Sequence, residues 1–359
     1  VTQLLAEAWA QQGHRVTVVC QTPATTPADS RATLDTAKLD TADLEVLPIT
    51  NTVGAGWKPA STSDFELIRF PSLPQLYRLL QQCDLYVQSC ISLKGLWPWL
   101  VIRKPLVMIH HTWYRHPGGR LRWQDWLKLQ VTRLGLNIAV SEAIAAHLPM
   151  PARVIENPYA ETLFYPGPTQ ERDRTLVFVG RLVSDKGVDL LIAALAQLRD
   201  RHGLTPDLTL IGGGPERASL EVQIHQLHLA AQVTFVGELT PIEVAERLRQ
   251  HRILVIPSRW REPFGIVALE GLGCGCWVVG SNQGGLPAAI GPGGLTFANG
   301  QVTELTACLA QMLDAGWQPD RAAIAAHLAR HHQQTVAALY LDTFCGCLQH
   351  SPPPKETRQ

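Results

Sequence analysis

The sequence is short of several things, and each shortage removes a class of protein. It has no net charge, since 31 Lys and Arg residues face 31 Asp and Glu, so the basic surplus that a nucleic-acid binder sets against phosphate is missing. It has no apolar run of the ~18 residues that a membrane-spanning helix requires. The best candidate, GLWPWLVIRKPLVMI, is interrupted by Arg103 and Lys104 and preceded by Lys94, and no stretch reads as a signal peptide. It lacks the C-x-x-C spacing of a zinc ribbon. Of its eight cysteines, Cys274, Cys276, Cys345 and Cys347 stand as C-x-C pairs inside apolar stretches, which reads as buried, reduced thiols of a cytoplasmic protein. No Asp-x-Asp motif is present to hold a metal against phosphates.

What is present is length and alternation. A chain of 359 residues is long for one core and natural for two domains. Short β-branched runs alternate with amphipathic stretches, the pattern of parallel sheets covered by helices on both faces. In the first half the strands read near HRVTVVC, FELIRF, DLYVQSC, PLVMIHH, LNIAVS and RVIEN; in the second near TLVFVGRL, DLTLIGGG, VTFVGEL, RILVIPS, CWVVGSN and GLTFAN. Two doubly wound α/β domains follow, over residues 1–158 and 159–335, with 336–359 as a helix end and tail. The boundary falls where prolines and charges replace periodicity, near Asn157 to Asp173. Residues Thr22 to Asp64, rich in Thr, Ala and Asp, read as a long surface loop with weak helical pieces.

Val1, Leu4, Leu5, Ala8 and Trp9 form a helical stripe, Gly13 suits a helix stop, and Val16 to Cys20 reads as a strand. The chain therefore opens inside a helix. Helix then strand is the second part of a βαβ unit, so the first domain is expected to lack its first strand and to carry a gap in mid-sheet. The expectation is a fragment or misplaced start, short by roughly 10 to 20 residues, with poor activity.

Four motifs invite chemistry. In FVGRLVSDKGVDLLIAAL a strand ends, Gly180 turns, and Arg181 and Lys186 flank a helix start. Two cations there can clamp a diphosphate without metal, or they can be ordinary surface residues. In LIGGGPERASLE, Gly212, Gly213 and Gly214 suit a close backbone approach to a ligand or simply a tight turn. Arg217 occupies the place of the third glycine of a dinucleotide loop, which makes a nicotinamide enzyme a poor reading. In EPFGIVALE, with the helix starting at Phe264 or Gly265, Glu262 and Glu270 have Cα atoms ~12 Å apart at 1.5 Å per residue. That is about the reach of a nucleotide sugar from ribose to hexose, and too far for a glycosidase pair. In SNQGGLP, the N–H groups of Gly284 and Gly285 can reach the diphosphate between them.

These motifs, in this order, resemble the retaining glycosyltransferases of family 4, which have two Rossmann-like domains facing a cleft, the GT-B fold. The resemblance covers nearly the whole chain and is strongest from Leu176 to Ile290. It implies that Arg181 and Lys186 bind the donor diphosphate, that Glu262 contacts the transferred sugar and is catalytic, and that Glu270 holds the ribose. Gly212, Gly213, Gly214, Phe264, Gly265, Gly284 and Gly285 are expected on the donor side with them. The resemblance also implies a first strand and Gly-rich loop that this sequence does not show, and a final helix returning to the first domain, for which DRAAIAAHLARHHQQTVAALYLDTF is suited. His111, at the end of PLVMIHH, matches a residue that the family places near the reacting sugar; a structural histidine is the plain alternative.

Downstream, WYRHPGGRLRWQDWLKLQVTRLG sets Arg115, Arg120, Arg122, Lys128 and Arg133 among Trp113, Trp123 and Trp126. Cations among aromatics suit a membrane interface or a lipid-diphosphate acceptor, and a helix burying its tryptophans in the core suits equally. The expected protein is a cytoplasmic, metal-independent hexosyltransferase without a cofactor, placed at the inner membrane face if that stretch contacts lipid. It moves sugar with retention from a nucleoside diphosphate donor to a glycan or lipid-linked acceptor, in cell-envelope polysaccharide or glycolipid synthesis. The rivals are an epimerase or phosphorylase of the same fold and a non-catalytic sugar-nucleotide binder.

Overall fold

The computed structural model describes residues 1–20, 45–50, 65–69, 71–114, 122–167 and 172–349. They fall into two compact units. One holds the described residues up to Pro158 together with those from Gln333 onward, and the other runs Tyr159–His332.

The first unit is built on a seven-stranded sheet: β1 (Arg15–Cys20), β2 (Glu45–Thr50), β3 (Glu66–Arg69), β4 (Leu85–Ser89), β5 (Leu106–His110), β6 (Leu136–Ala139) and β7 (Arg153–Val154). Its order is β3-β1-β2-β4-β5-β6-β7. The expected gap is absent. β2 stands between β1 and β4 and runs antiparallel to both, so the N–H and C=O groups that would have faced an open slot are paired there. This corrects the reading of Thr22 to Asp64 as loop over its one described piece, residues 45–50. The other residues of that stretch lie outside the described ones. EVLPIT carries β-formers, but Pro48 lacks an N–H and argues against a central strand, which is why the sequence concealed it.

Helices cover this sheet. Thr2–Gln11 buries Leu5, Ala6, Ala8 and Trp9. The last described helix, Gln333–Gln349, lies against it: the rings of Tyr340 and Phe344 meet Trp9 edge-on at 5.9 and 5.4 Å, and Trp9 Nε1–H donates to the Ala337 carbonyl at 3.1 Å. The stretch expected to form one returning helix is thus two, Arg321–Arg330 and Gln333–Gln349, and the second belongs to the first unit. On one face of the sheet, helices Leu73–Gln82, Leu93–Val101 and Trp123–Val131 share a core in which Leu80, Leu96, Trp99 and Leu129 meet Tyr86, Leu106 and Met108.

The second unit has six strands, β8 (Arg174–Val179), β9 (Leu208–Ile211), β10 (Val233–Gly237), β11 (His251–Ile256), β12 (Trp277–Ser281) and β13 (Gly294–Phe297). They are ordered β10-β9-β8-β11-β12-β13 and all parallel. The helix Val188–His202 is bounded by Gly187 and Gly203, both left-handed. Its Leu191 and Leu195 enter a core with Phe178, Leu210, Val255 and Val279. Each fully buried Leu there stabilises the unit by ~1.5 to 3 kcal/mol.

The described cysteines are all free thiols; Cys274 and Cys276 are buried as expected, whereas Cys345 is exposed. Among the described residues no helix is long and apolar enough to cross a membrane.

Candidate active site of the second unit

Because the six strands are parallel, the loops that follow them gather at one edge of the sheet. Chain order reverses between the neighbours β8 and β11, and the connections leaving two such strands diverge and open a crevice, the usual ligand position of a doubly wound sheet. The first connection carries Gly180, Arg181 and the short turn Ser184–Lys186; the second carries Ser258 to Gly265 and leads into the helix Ile266–Gly273.

The two loops are tied at their base. The N–H groups of Arg259 and Trp260 donate to the Asp185 carbonyl at 2.8 and 3.0 Å, and the Arg259 guanidinium grips the Asp189 carboxylate with two nitrogens. Above this base stands Glu262. Its Oε1 accepts from Lys186 Nζ at 2.6 Å and from Ser258 Oγ at 2.7 Å. Ser258 is only 1% exposed, so its hydroxyl is fixed. The Glu262 carbonyl accepts from Gly285 N–H at 2.8 Å, and a Cβ on Gly284 would run into that same carbonyl. Two loops therefore hold the carboxylate and a third holds its backbone, and the second carboxylate oxygen has no hydrogen-bond partner among the described residues.

Glu270 lies on the helix Ile266–Gly273, half-buried. Burial pushes its carboxyl up to about 7. Its carboxylate also makes no hydrogen bond among the described residues. A partly desolvated acid without a partner is a candidate for binding hydroxyl groups. Arg181 is exposed and makes no ion pair among the described residues.

Comparison with known proteins bears on both units. The family model described as Glycosyltransferase Family 4 matches residues 1–158, and the one described as Glycosyl transferases group 1 matches residues 160–328. The chain belongs to the glycosyltransferases of family 4. It is 33% identical over 215 residues to D-inositol 3-phosphate glycosyltransferase of Gordonia bronchialis, covering 54% of this chain and 46% of that one. It is 37% identical over 185 residues to glycogen synthase of Mycobacterium tuberculosis, covering 50% and 44%. The chain thus spans about half the length of these curated relatives. Among solved structures, Anabaena HepE in complex with UDP has a TM-score of 0.66 at 22% identity, over 79% of this chain and 86% of that one. The sucrose-phosphate synthase of Thermosynechococcus elongatus has 0.64 at 20%, over 79% and 84%. These are GT-B folds, and the two Rossmann-like units have that architecture.

Within this family 4 chain, several expected site residues take places other than those the sequence suggested. Phe264 is 1% exposed and its ring lies 5.6 Å from that of His331, so the side chain is core and only its backbone can face a ligand. Gly265 has φ +103 and caps the helix, which therefore starts at Ile266, one or two residues later than expected. The N–H of Gly285, expected to reach a diphosphate, is committed to Glu262. Gly212 and Gly214, at φ +132 and +154, are required by the neighbouring loop, since a Cβ on either would meet the Gly180 or Leu182 carbonyl. Leu182 N–H donates to the Gly213 carbonyl at 2.7 Å, so the three glycines lock the β8 and β9 loops together. Arg217 pairs with Glu221 at 3.0 Å.

In the first unit His110 and His111 close β5. His110 is fully buried, with Nδ1 2.8 Å from the Tyr114 hydroxyl and Nε2 3.0 Å from Asn137 Oδ1, and burial lowers its pKa to about 4. It is a structural strut. His111 is half-buried and makes no hydrogen bond among the described residues; burial first, then the N-terminal charge and His110, push it down to about 3. It is a neutral imidazole. Ser258 escaped the sequence reading, although its place four residues before Glu262 in PSRWRE was the available signal.

Proposed function

We propose that the chain transfers a hexose, with retention at the anomeric carbon, from a nucleoside diphosphate sugar to a glycan or lipid-linked acceptor of the cell envelope. The observation that carries this reading is the Glu262 carboxylate, held by Ser258 and Lys186 with one oxygen left over. That oxygen accepts a hydroxyl of the transferred sugar. Arg181, Lys186 and the first N–H groups of the helix Ile266–Gly273 take the diphosphate, and Glu270 accepts from the ribose hydroxyls. Lys186 moves from the carboxylate to the diphosphate as the donor enters, which places a cation on the oxygen where charge develops.

In the chemical step the bond from the anomeric carbon to the diphosphate oxygen breaks, a bond to the acceptor oxygen forms on the same face, and the acceptor proton passes to the departing diphosphate. No enzymatic nucleophile is required; the protein positions the partners and stabilises the leaving charge. The first unit is assigned the acceptor, with His111 as a neutral hydrogen-bonding group beside the reacting sugar.

A thermal-shift screen of UDP and GDP sugars tests the donor assignment. A ligand at ~100 times its dissociation constant adds ~2.7 kcal/mol of stability, so the right donor raises the melting temperature by several degrees. Product analysis with and without acceptor follows. Sugar transfer supports the proposal, an isomerised donor without acceptor indicates an epimerase, and binding without turnover indicates a sugar-nucleotide sensor.

A further inference from the structure

Two helices of the first unit turn apolar side chains outward. On Leu93–Val101, Trp97 is 61% and Val101 67% exposed, with Leu100 beside them; on Trp123–Val131, Trp123 is 71% and Trp126 53% exposed, followed by Leu127. The helices follow the adjacent parallel strands β4 and β5, and right-handed crossovers put successive helices side by side on one face of a sheet. Their opposite sides confirm this, because Leu96, Trp99 and Leu129 share one core cluster. The exposed residues accordingly lie on the same face of the first unit's sheet, and apolar surface of this kind on a protein marks an interaction. The alternative that these tryptophans are core does not hold for Trp123 and Trp126. Trp113 is the one of the sequence-marked three that turns inward, its ring 5.3 Å from that of His147.

The charge around the patch is one-sided. Residues 93–104 contain Lys94, Arg103 and Lys104 and no acid, and residues 122–134 contain Arg122, Lys128 and Arg133 against Asp125 alone. Lys128 is 3.9 Å from Asp125, while Lys94, Arg103, Arg122 and Arg133 are exposed and make no ion pair among the described residues. Six cations to one acid, in a chain of zero net charge, is a local concentration. We infer that this face docks on an anionic lipid bilayer, with the tryptophans at headgroup depth and the cations against lipid phosphates. A second copy of the chain fits less well, because a two-fold interface would set the cations against themselves. The inference concerns binding alone and stands apart from the sugar-transfer proposal.

The test is flotation of the full chain with phosphatidylcholine vesicles, with and without phosphatidylglycerol, read alongside tryptophan emission. Binding to the anionic vesicles, with a blue shift and loss at high salt, is expected. The combined change Trp97→Ser, Trp123→Ser and Trp126→Ser should weaken binding about tenfold or more, and Lys94→Glu with Arg103→Glu and Arg122→Glu should abolish the anionic preference. Melting temperatures should stay near the parent's, since every substituted side chain is exposed. Absence of flotation, or flotation unchanged in the tryptophan variant, overturns the inference. So does a concentration-dependent dimer that the tryptophan variant dissolves, which would make the patch a protein interface.

Discussion

Lys186 Nζ lies 2.6 Å from Glu262 Oε1, and Ser258 Oγ reaches the same oxygen at 2.7 Å. The two donors have different fates in the proposed reaction. Lys186 is taken over by the diphosphate, whereas Ser258 stays and keeps Glu262 aimed. Lys186→Ala should cut UDP affinity by roughly 10- to 150-fold, the equivalent of the ~1.5 to 3 kcal/mol of a charged hydrogen bond. Ser258→Ala should leave UDP affinity nearly unchanged and lower kcat about fivefold, the ~1 kcal/mol of a neutral bond, with Ser258→Thr restoring part of it. Calorimetry with UDP beside steady-state kinetics separates the two; equal loss of affinity in both variants would refute the division of roles.

Turnover should persist in EDTA, because the proposed diphosphate site is furnished with the Arg181 and Lys186 side chains as its counter-charges. Complete loss on chelation, with recovery on adding manganese, would show that a metal carries that charge instead.

Glu270 gives a pH signature. Burial raises its carboxyl to about 7, and only the ionised form accepts from two ribose hydroxyls. Affinity for a UDP sugar, whose own diphosphate does not titrate near neutrality, should therefore be full above that pH and fall as pH drops through about 7. Glu270→Gln should weaken binding and remove the dependence. A pH-independent affinity in the parent would detach Glu270 from the ribose.

The strand pattern behind the second unit's site was legible because short β-branched runs such as TLVFV and RILVI, alternating with amphipathic stretches, read as the strands of a parallel sheet. The carboxyl-edge position of Arg181, Lys186 and Glu262 followed from it, and that of His111 from the same pattern in the first unit. Roles within loops were less legible. Gly212 and Gly214 suited either a close backbone approach to a ligand or a tight turn, and Gly284 was read for its N–H; at all three the space a Cβ would take is filled by neighbouring backbone, which one-dimensional spacing does not reveal. Phe264 looked like a site residue because of its neighbours, although an aromatic there was as well suited to the core. β2 was hidden by its Pro48 and by a partner register that only tertiary pairing supplies.

The paired histidines should separate in their responses. His110 has a pKa of about 4 in the fold against an ordinary value of about 6.5, so below the latter the unfolded chain takes up a proton that the native one refuses. Its contribution is present above about 6.5 and is lost as pH falls toward about 4, at up to ~1.4 kcal/mol per pH unit. His111, His251 and His327 are shifted in the same direction by burial. Denaturation by urea at stepped pH should show a steep acid limb, flattened by His110→Gln, which should also be less stable at neutral pH. His111→Ala should instead lower kcat with little change in melting temperature, and a large stability loss there would make His111 structural too.

Gly284 should prove to be a determinant of activity through Glu262. It adopts φ +71, and a Cβ would press into the Glu262 carbonyl. Gly300 adopts a similar φ of +80 with nothing within 4 Å of its Cβ position. Alanine at either site incurs the left-handed penalty of ~1 to 2 kcal/mol, but only at Gly284 must the neighbouring loop also yield. Because that loop carries Glu262, whose carbonyl is anchored by Gly285 N–H at 2.8 Å, the displacement is transmitted to the carboxylate. Gly300→Ala should thus show only a modest loss in melting temperature and Gly284→Ala a larger one, while Gly284→Ala alone reduces kcat, by about tenfold or more if the carboxylate moves by ~1 Å. Matching kcat values in the two variants would mean that the loop absorbs the strain and that Glu262 does not depend on this contact for its aim.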